Sequence, residues 1–150
     1  PNGAASSFFS GIIREPLAGM PSVCPVDESV SHSVSSPSNT IKGLITVFEA
    51  SREAMQGRLA LNLPGLNVTV KEMLQALEDV AGPAVRQHVT FVRDEHIAGI
   101  VANWAKAGSA QRAAALGLKP DASFKEVIKQ YIEDCKLPYY PSHALDGLKK

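Results

Sequence analysis

Two short polar stretches hold the side chains of this sequence that could do chemistry. The first opens the chain, PNGAASSFFSGIIRE. Asn2, Ser6 and Ser7 place small hydrogen-bonding groups at the expected start of a helix, where unpaired backbone N–H groups favour an anion such as a carboxylate. Arg14 lies about two turns further on and carries the planar donor fork that can clamp a carboxylate. Together these residue types suit the holding of a small acid that also carries hydroxyls. A capped helix with a surface arginine explains the same residues. The second stretch is Ser31-His32-Ser33 to Ser35-Ser36-Pro37, a polar loop with one histidine, His32, before a helix. A plain connector is the simpler reading of that loop.

Other routes to a self-contained active site are closed. The sequence has no GxGxxG or GxxxxGK[ST] phosphate loop, no HExxH, no GxSxG elbow and no Cys/His zinc spacing. No catalytic residue and no metal ligand is therefore assigned. His88, His96 and His143 are scattered. Asp27 and Glu28 are adjacent and should point apart. Arg52, Arg58, Arg86, Arg93 and Arg112 read as solvated charges, and Trp104 as core.

The elements that must position these groups are clearest between Leu59 and Gly82. Leu59, Leu61 and Leu63 alternate with Ala60 and Asn62, the pattern of a half-buried strand. Pro64-Gly65 stops it. Thr69 to Glu72 forms a capping box, flanked by Val68 and Met73 at the staple positions. Val70, Met73, Leu74, Leu77 and Val80 then make one apolar stripe, ended by Gly82 as a left-handed cap and by Pro83.

Around this unit the spacing predicts further pieces. A first helix is capped by Ser6 or Ser7, buries Phe8, Phe9, Ile12 and Ile13, and ends at Pro16 and Gly19. Residues 20–38 are loop with one or two short strands, one of them near Val23–Val26. A second helix runs from about Asn39 to Ser51, capped by Ser38 or Asn39, with Ile41, Leu44, Ile45 and Phe48 inward. A strand is expected within His88–Val92. Asp94 caps a helix with the stripe Ile97, Ile100, Val101 and Trp104. Ser109 to Leu116 is a short helix, and Ser123 to Glu126 is a second capping box opening a helix to Asp134. Residues 135–150 read as an exposed tail. The sum is a helix-rich mixed α/β (α+β) arrangement.

Bulk composition agrees with one compact soluble domain: 150 residues, 45% hydrophobic and 20% charged. Fifteen basic and fifteen acidic residues balance, which gives no electrostatic footprint for nucleic acid or an anionic membrane. No apolar run approaches the roughly 20 residues of a membrane span. Cys24 and Cys135 lack any paired spacing and read as free thiols of a cytoplasmic protein.

PNGAASSFFSGIIREPLAG, the SPSNT-to-FEAS helix, LNLPGLNVTVKEMLQALEDVAG and SFKEVIKQYIED, in this order, resemble the C-terminal half of extended short-chain dehydrogenase/reductases. The similarity is to the sugar-acid branch of the NAD-dependent epimerase/dehydratase family, and it covers nearly the whole chain. It implies a Rossmann half, absent from this chain, that carries the dinucleotide turn and a Ser/Tyr/Lys catalytic set. NAD would be bound mainly there, with NADP not excluded.

On this resemblance the 150 residues are the substrate-binding region, with residues 1–19 facing the substrate and residues 39–134 supplying helices and short strands. Asn2, Ser6, Ser7, Arg14 and His32 would meet a polyhydroxy acid of the erythronate type or, in an epimerase-like relative, a nucleotide sugar. The chain alone is expected to be inactive, and a homo-oligomer is possible. The family often has Ser-Pro-Arg before the second helix, whereas this chain has Ser36-Pro37-Ser38, which bears on substrate identity. The alternative is a non-catalytic module binding a small ligand or a protein. Phe8, Phe9, Ile12 and Ile13 should discriminate, forming an apolar patch in a fragment and a covered face in a module.

Overall fold

The capping box at Thr69 is formed in both directions. Thr69 N–H donates to Glu72 Oε2 at 2.7 Å, and Glu72 N–H donates to Thr69 Oγ1 at 3.2 Å. This pair ends one element and begins another in the computed structural model, which describes residues 4–58, 60–105 and 108–149. Among those residues the order is α1 (Ser7–Leu17), β1 (Ser22–Cys24), β2 (Ser31–Val34), α2 (Pro37–Glu49), β3 (Leu66–Thr69), α3 (Val70–Ala81), α4 (Pro83–Arg86), β4 (Val89–Phe91), α5 (Glu95–Ala102), α6 (Gln111–Ala115) and α7 (Phe124–Asp134). A 3-10 turn, Asp146–Lys149, follows. The mixed α/β, helix-rich expectation holds.

Two small sheets tie distant parts together. β1 pairs parallel with β4, Ser22 opposite Val89 and Cys24 opposite Phe91. β2 pairs antiparallel with β3, Ser31 opposite Thr69 and Val34 opposite Leu66. Ser31–Val34 was expected as loop and is strand instead. It lacks an apolar alternation of its own, so its conformation is imposed by β3. The core lies between α1 and α3, where Ile12, Leu17, Val70, Met73 and Leu77 are buried, and α7 adds Phe124 and Ile128. Val68 and Met73 are both buried, as a staple requires.

Helix ends follow the local chemistry with three departures. α1 runs through Pro16 and closes one turn later as a Schellman motif. Gly19, at φ +74°, donates to Pro16 O, and Met20 N–H donates to Glu15 O. Gly82 has φ +89° but an extended ψ of 164°, so it is no left-handed cap, and Pro83 opens α4 directly after it. At α7 only half of the second box forms. Ser123 Oγ accepts from Glu126 N–H, while the Glu126 carboxylate pairs with Lys129.

α2 overturns an expectation. It starts at Pro37, capped by Ser36 rather than Ser38 or Asn39. The stripe expected to face inward faces out: Ile41, Leu44, Ile45 and Phe48 are all exposed, Phe48 at 90%. Gly43 is the buried position, and a β-carbon there would lie 2.7 Å from Leu63 Cδ2. The helix thus rests on Leu63 by its smallest residue, a contact no bulky side chain could make. Leaving Leu44 and Phe48 in water forgoes about 1.5–3 kcal/mol for each.

The LALNL segment is the second correction. Leu59 lies outside the described residues, and Ala60 to Leu63 join no ladder among the residues that are described. Alternation marks a surface that fits a sheet, but a strand needs a neighbour to pair with.

The tail is more ordered than expected. Ala144 and Gly147 are buried, and the 3-10 turn packs on the end of α1. Cys24 and Cys135 are free and buried. Among the described residues no helix is long and apolar enough to cross a membrane.

Candidate functional site

The start of α1 is built by backbone turns more than by caps. Ser7 Oγ donates to Ala4 O at 2.7 Å, and Ser10 Oγ donates to Ser7 O at 3.1 Å. Ser6 holds the N-cap position in helical conformation (φ −80°, ψ −11°) and makes no side-chain cap bond. A capping hydroxyl reaches the N–H groups of the first turn from extended backbone, so neither serine caps. Ser6 and Ser7 are exposed beside that turn, and Asn2 lies outside the described residues.

His32 sits half-buried in β2, directly against α1. Its ring stacks on Phe9, centroids 5.0 Å apart at 17°, and lies 5.2 Å from the Trp104 ring at 47°. Phe8 and Phe9 are themselves in contact at 4.1 Å. Burial lowers the His32 pKa below the ordinary histidine value. The imidazole is therefore neutral at pH 7, with one nitrogen donating and one accepting. Such a group suits a hydroxyl better than it attracts a carboxylate.

Arg14 is exposed on a different side of the helix. It follows Ser7 by seven residues and shares its stripe with Ser10. From Phe9 it is rotated by about 140° at 3.6 residues per turn. Its charge acts on Tyr131 of α7, opposing the burial and the Cys135 hydrogen bond that raise that phenol's pKa. The structure thus joins His32 to the N-terminal helix through Phe9 and does not bring Arg14 to the same place.

Phe8, Phe9, Ile12 and Ile13 are buried, so they form no exposed patch. That is the covered face expected of a module and not the patch expected of a fragment, and a separate exposed apolar stripe lies on α2. Ser38, where the resemblance implied an arginine, accepts a hydrogen bond from Gln130 Nε2. Phe9 and Trp104 read as core from their periodicity; their contact with His32 depends on β2 and has no local signal.

Arg112 is likewise no solvated charge. Its guanidinium donates to Ala60 O at 2.7 Å and to Met55 O, which pins the loop after α2. Arg86 is half-buried, 3.8 Å from the Glu28 carboxylate and over the Phe91 ring at 5.9 Å. Among the described residues, one open hollow runs along Asp27, Glu28, Lys71 and Arg93, and another along Arg58, Asn62, Gln111 and Arg112. Neither includes Ser6, Ser7, Arg14 or His32 among its lining residues. No group of three or more His, Cys, Asp or Glu side chains among the described residues could hold a metal ion.

D-erythronate dehydrogenase of Cupriavidus necator is 47% identical over 137 residues, 91% of this chain and 42% of that protein. This chain resembles the C-terminal part of D-erythronate dehydrogenase. The D-erythronate dehydrogenase of Haemophilus influenzae is 44% identical over 133 residues, again 89% of this chain and 42% of that protein. The chain therefore spans about two fifths of the curated relatives it matches. No protein-family model matches it.

Among solved structures, the nucleoside-diphosphate-sugar epimerase of Agrobacterium tumefaciens superposes with a TM-score of 0.85 at 40% identity, over 89% of this chain and 39% of that one. L-threonine 3-dehydrogenase of Trypanosoma brucei gives 0.78 at 19% identity over 95% of this chain and 44% of that one, a likeness of fold alone. The fold is the C-terminal part of Rossmann-type epimerases and dehydrogenases.

Proposed function

We propose that this chain is the substrate-facing part of an NAD(P)-dependent dehydrogenase acting on a small polyhydroxy acid of the erythronate type. The observation that carries the reading is the identity of 47% and 44% to two D-erythronate dehydrogenases across about nine tenths of the chain.

The residues present do not fit a dinucleotide. The sequence has no glycine-rich turn, and the described helix starts show no strand–glycine–helix cradle. The work of these residues is to bind and orient. Ser6 and Ser7 offer hydroxyls at the N-terminal turn of α1, whose dipole favours the acid group of the substrate. The neutral His32, fixed by Phe9 and Trp104, can exchange hydrogen bonds with a substrate hydroxyl and turn it in one direction. Arg14 acts at longer range, as a positive charge further along the same helix. Asn2 belongs to the same segment.

The test joins the portion of the Cupriavidus necator enzyme that this chain does not span to the N-terminus of this chain. The joined protein should form NADH from NAD and D-erythronate, and the chain alone should form none. NADH formation by the chain alone, or a joined protein that binds NAD and leaves D-erythronate untouched, contradicts the reading.

A further inference from the structure

We infer that Trp104 makes the substrate site stereoselective, by holding the His32 imidazole in one direction beside the first turn of α1. The inference rests on the reading above and deepens it, naming the residue that lets the site tell an erythronate from its epimers.

Three elements converge on the imidazole. His32 stands in β2 opposite Val68, which is buried, so its side chain is on the core-facing side of the β2–β3 pair. There it meets the Phe9 ring of α1 nearly face to face, centroids 5.0 Å apart at 17°. A helical side chain leans toward the N-terminus of its helix, so the Phe9 ring lies over the turn that carries Ser6. The third contact is Trp104, 5.2 Å from the imidazole at 47° and just past the end of α5.

The two walls differ in kind. Phe9 is buried and belongs to the core. Trp104 is half-buried and packs against that core from its edge. Its backbone is fixed all the same. Trp104 N–H donates to Val101 O at 3.1 Å, and Asn103 Nδ2 donates to Gly99 O at 2.8 Å. Val101 is buried, and Asp94 N–H donates to Pro25 O at 3.0 Å, so α5 is anchored at both ends.

Both nitrogens of an imidazole hydrogen-bond in the plane of the ring, so fixing that plane fixes the direction in which a hydroxyl is met. With the acid group at the α1 turn, inverting a hydroxyl centre carries the hydroxyl out of that plane. With Phe9 as its single wall the ring can tilt and follow either configuration. Trp104 is thus a positioning residue that acts through His32.

The experiment uses the joined protein described above with D-erythronate, D-threonate and L-threonate, the two threonates each inverting one hydroxyl centre. kcat/KM is measured for each acid in the native sequence, Trp104→Phe, Trp104→Leu, His32→Gln and the double variant Trp104→Leu/His32→Gln, with KM for NAD alongside. Trp104→Leu should lower the preference for D-erythronate over at least one threonate by about tenfold or more. Trp104→Phe, which keeps a flat wall, should retain most of it, and KM for NAD should not change. The preference is a ratio on one protein, so a general loss of activity cancels from it. His32→Gln should lose the same preference, and adding Trp104→Leu to it should change the ratio by less than about twofold. If Trp104→Leu does not fold, Trp104→Met, which fills the space without a flat face, carries the same expectation.

A preference that survives loss of the indole overturns the inference and leaves the reading of function standing. So does a preference that falls by the same factor whether or not His32 is present, since Trp104 then does not act through it. A native joined protein that leaves D-erythronate untouched sinks the reading and the inference together.

Discussion

Ser36 and Asp121, 85 residues apart in the chain, are joined by one carboxylate used twice. Ser36 N–H donates to Asp121 Oδ2 at 2.8 Å, and the Ser36 hydroxyl donates to Asp121 Oδ1 at 2.7 Å. The same hydroxyl oxygen accepts the N–H of Asn39, so a buried serine caps α2 while being held by the segment that precedes α7. The attitude of α2 is set at this point.

Removing that carboxylate should loosen α2 from its N-terminus onward. Asp121→Ala leaves the Ser36 donors buried without an acceptor and should cost about 2–4 kcal/mol, with Asp121→Asn costing roughly half. Urea denaturation gives the difference, and amide exchange at Thr40 and Ile41 should accelerate in proportion. An Asp121→Ala protein as stable as the native chain contradicts the role.

The Thr69–Glu72 box has a pH signature. Glu72 is held below the ordinary glutamate range first by the Thr69 backbone N–H and then by the Thr69 hydroxyl. A depressed folded pKa adds stability above the unfolded value, and that stability is lost as pH falls through the folded one. Thr69→Ala should lower stability by about 1 kcal/mol at neutral pH. It should also flatten the loss of stability from the ordinary glutamate range downward. A parallel acid profile in both proteins would argue against the box.

How much of this was legible in sequence depends on how local the cause is. α3 was readable because Thr69, Glu72 and its stripe lie within one segment. α2 was readable as a helix, but its facing was not, because Leu63 under Gly43 and Asp121 on Ser36 decide it from elsewhere. LALNL has the pattern of a strand without a neighbour to pair with. β2 shows the converse, a polar stretch made strand by Leu66–Thr69. At the candidate site the residue types were visible, whereas the Phe9–His32–Trp104 stack required the β2–β3 pairing to bring it together.

Gly147 is a case of the same kind. A β-carbon there would fall inside contact distance of Pro16 O, 2.8 Å from Gly19 N and 2.9 Å from Leu17 O. Gly147→Ala must push the 3-10 turn off the end of α1 and should cost about 1–3 kcal/mol. Thermal unfolding measures this. An unchanged Tm would mean that the tail does not dock there.

His32 should titrate below the ordinary histidine range. Its folded pKa is lowered by burial, so its contribution to stability is present above the unfolded pKa and declines as pH falls toward the folded value. The ring proton shifts in an NMR titration give the pKa directly. In Trp104→Ala, which removes one wall of the stack, the value should move back toward that of a free histidine. A His32 that titrates at or above the ordinary value contradicts a neutral, stacked imidazole.

The central claim, that these residues face an erythronate-type substrate, is tested most directly by substrate choice in the joined protein. Initial rates of NADH formation would be compared for D-erythronate and L-threonine, the two substrates named by the relatives in sequence and in fold. The account predicts kcat/KM for D-erythronate higher by about a hundredfold or more, since a site built for hydroxyls and an acid discriminates strongly against a mismatched polar group. Equal rates, or a preference for L-threonine, would contradict it.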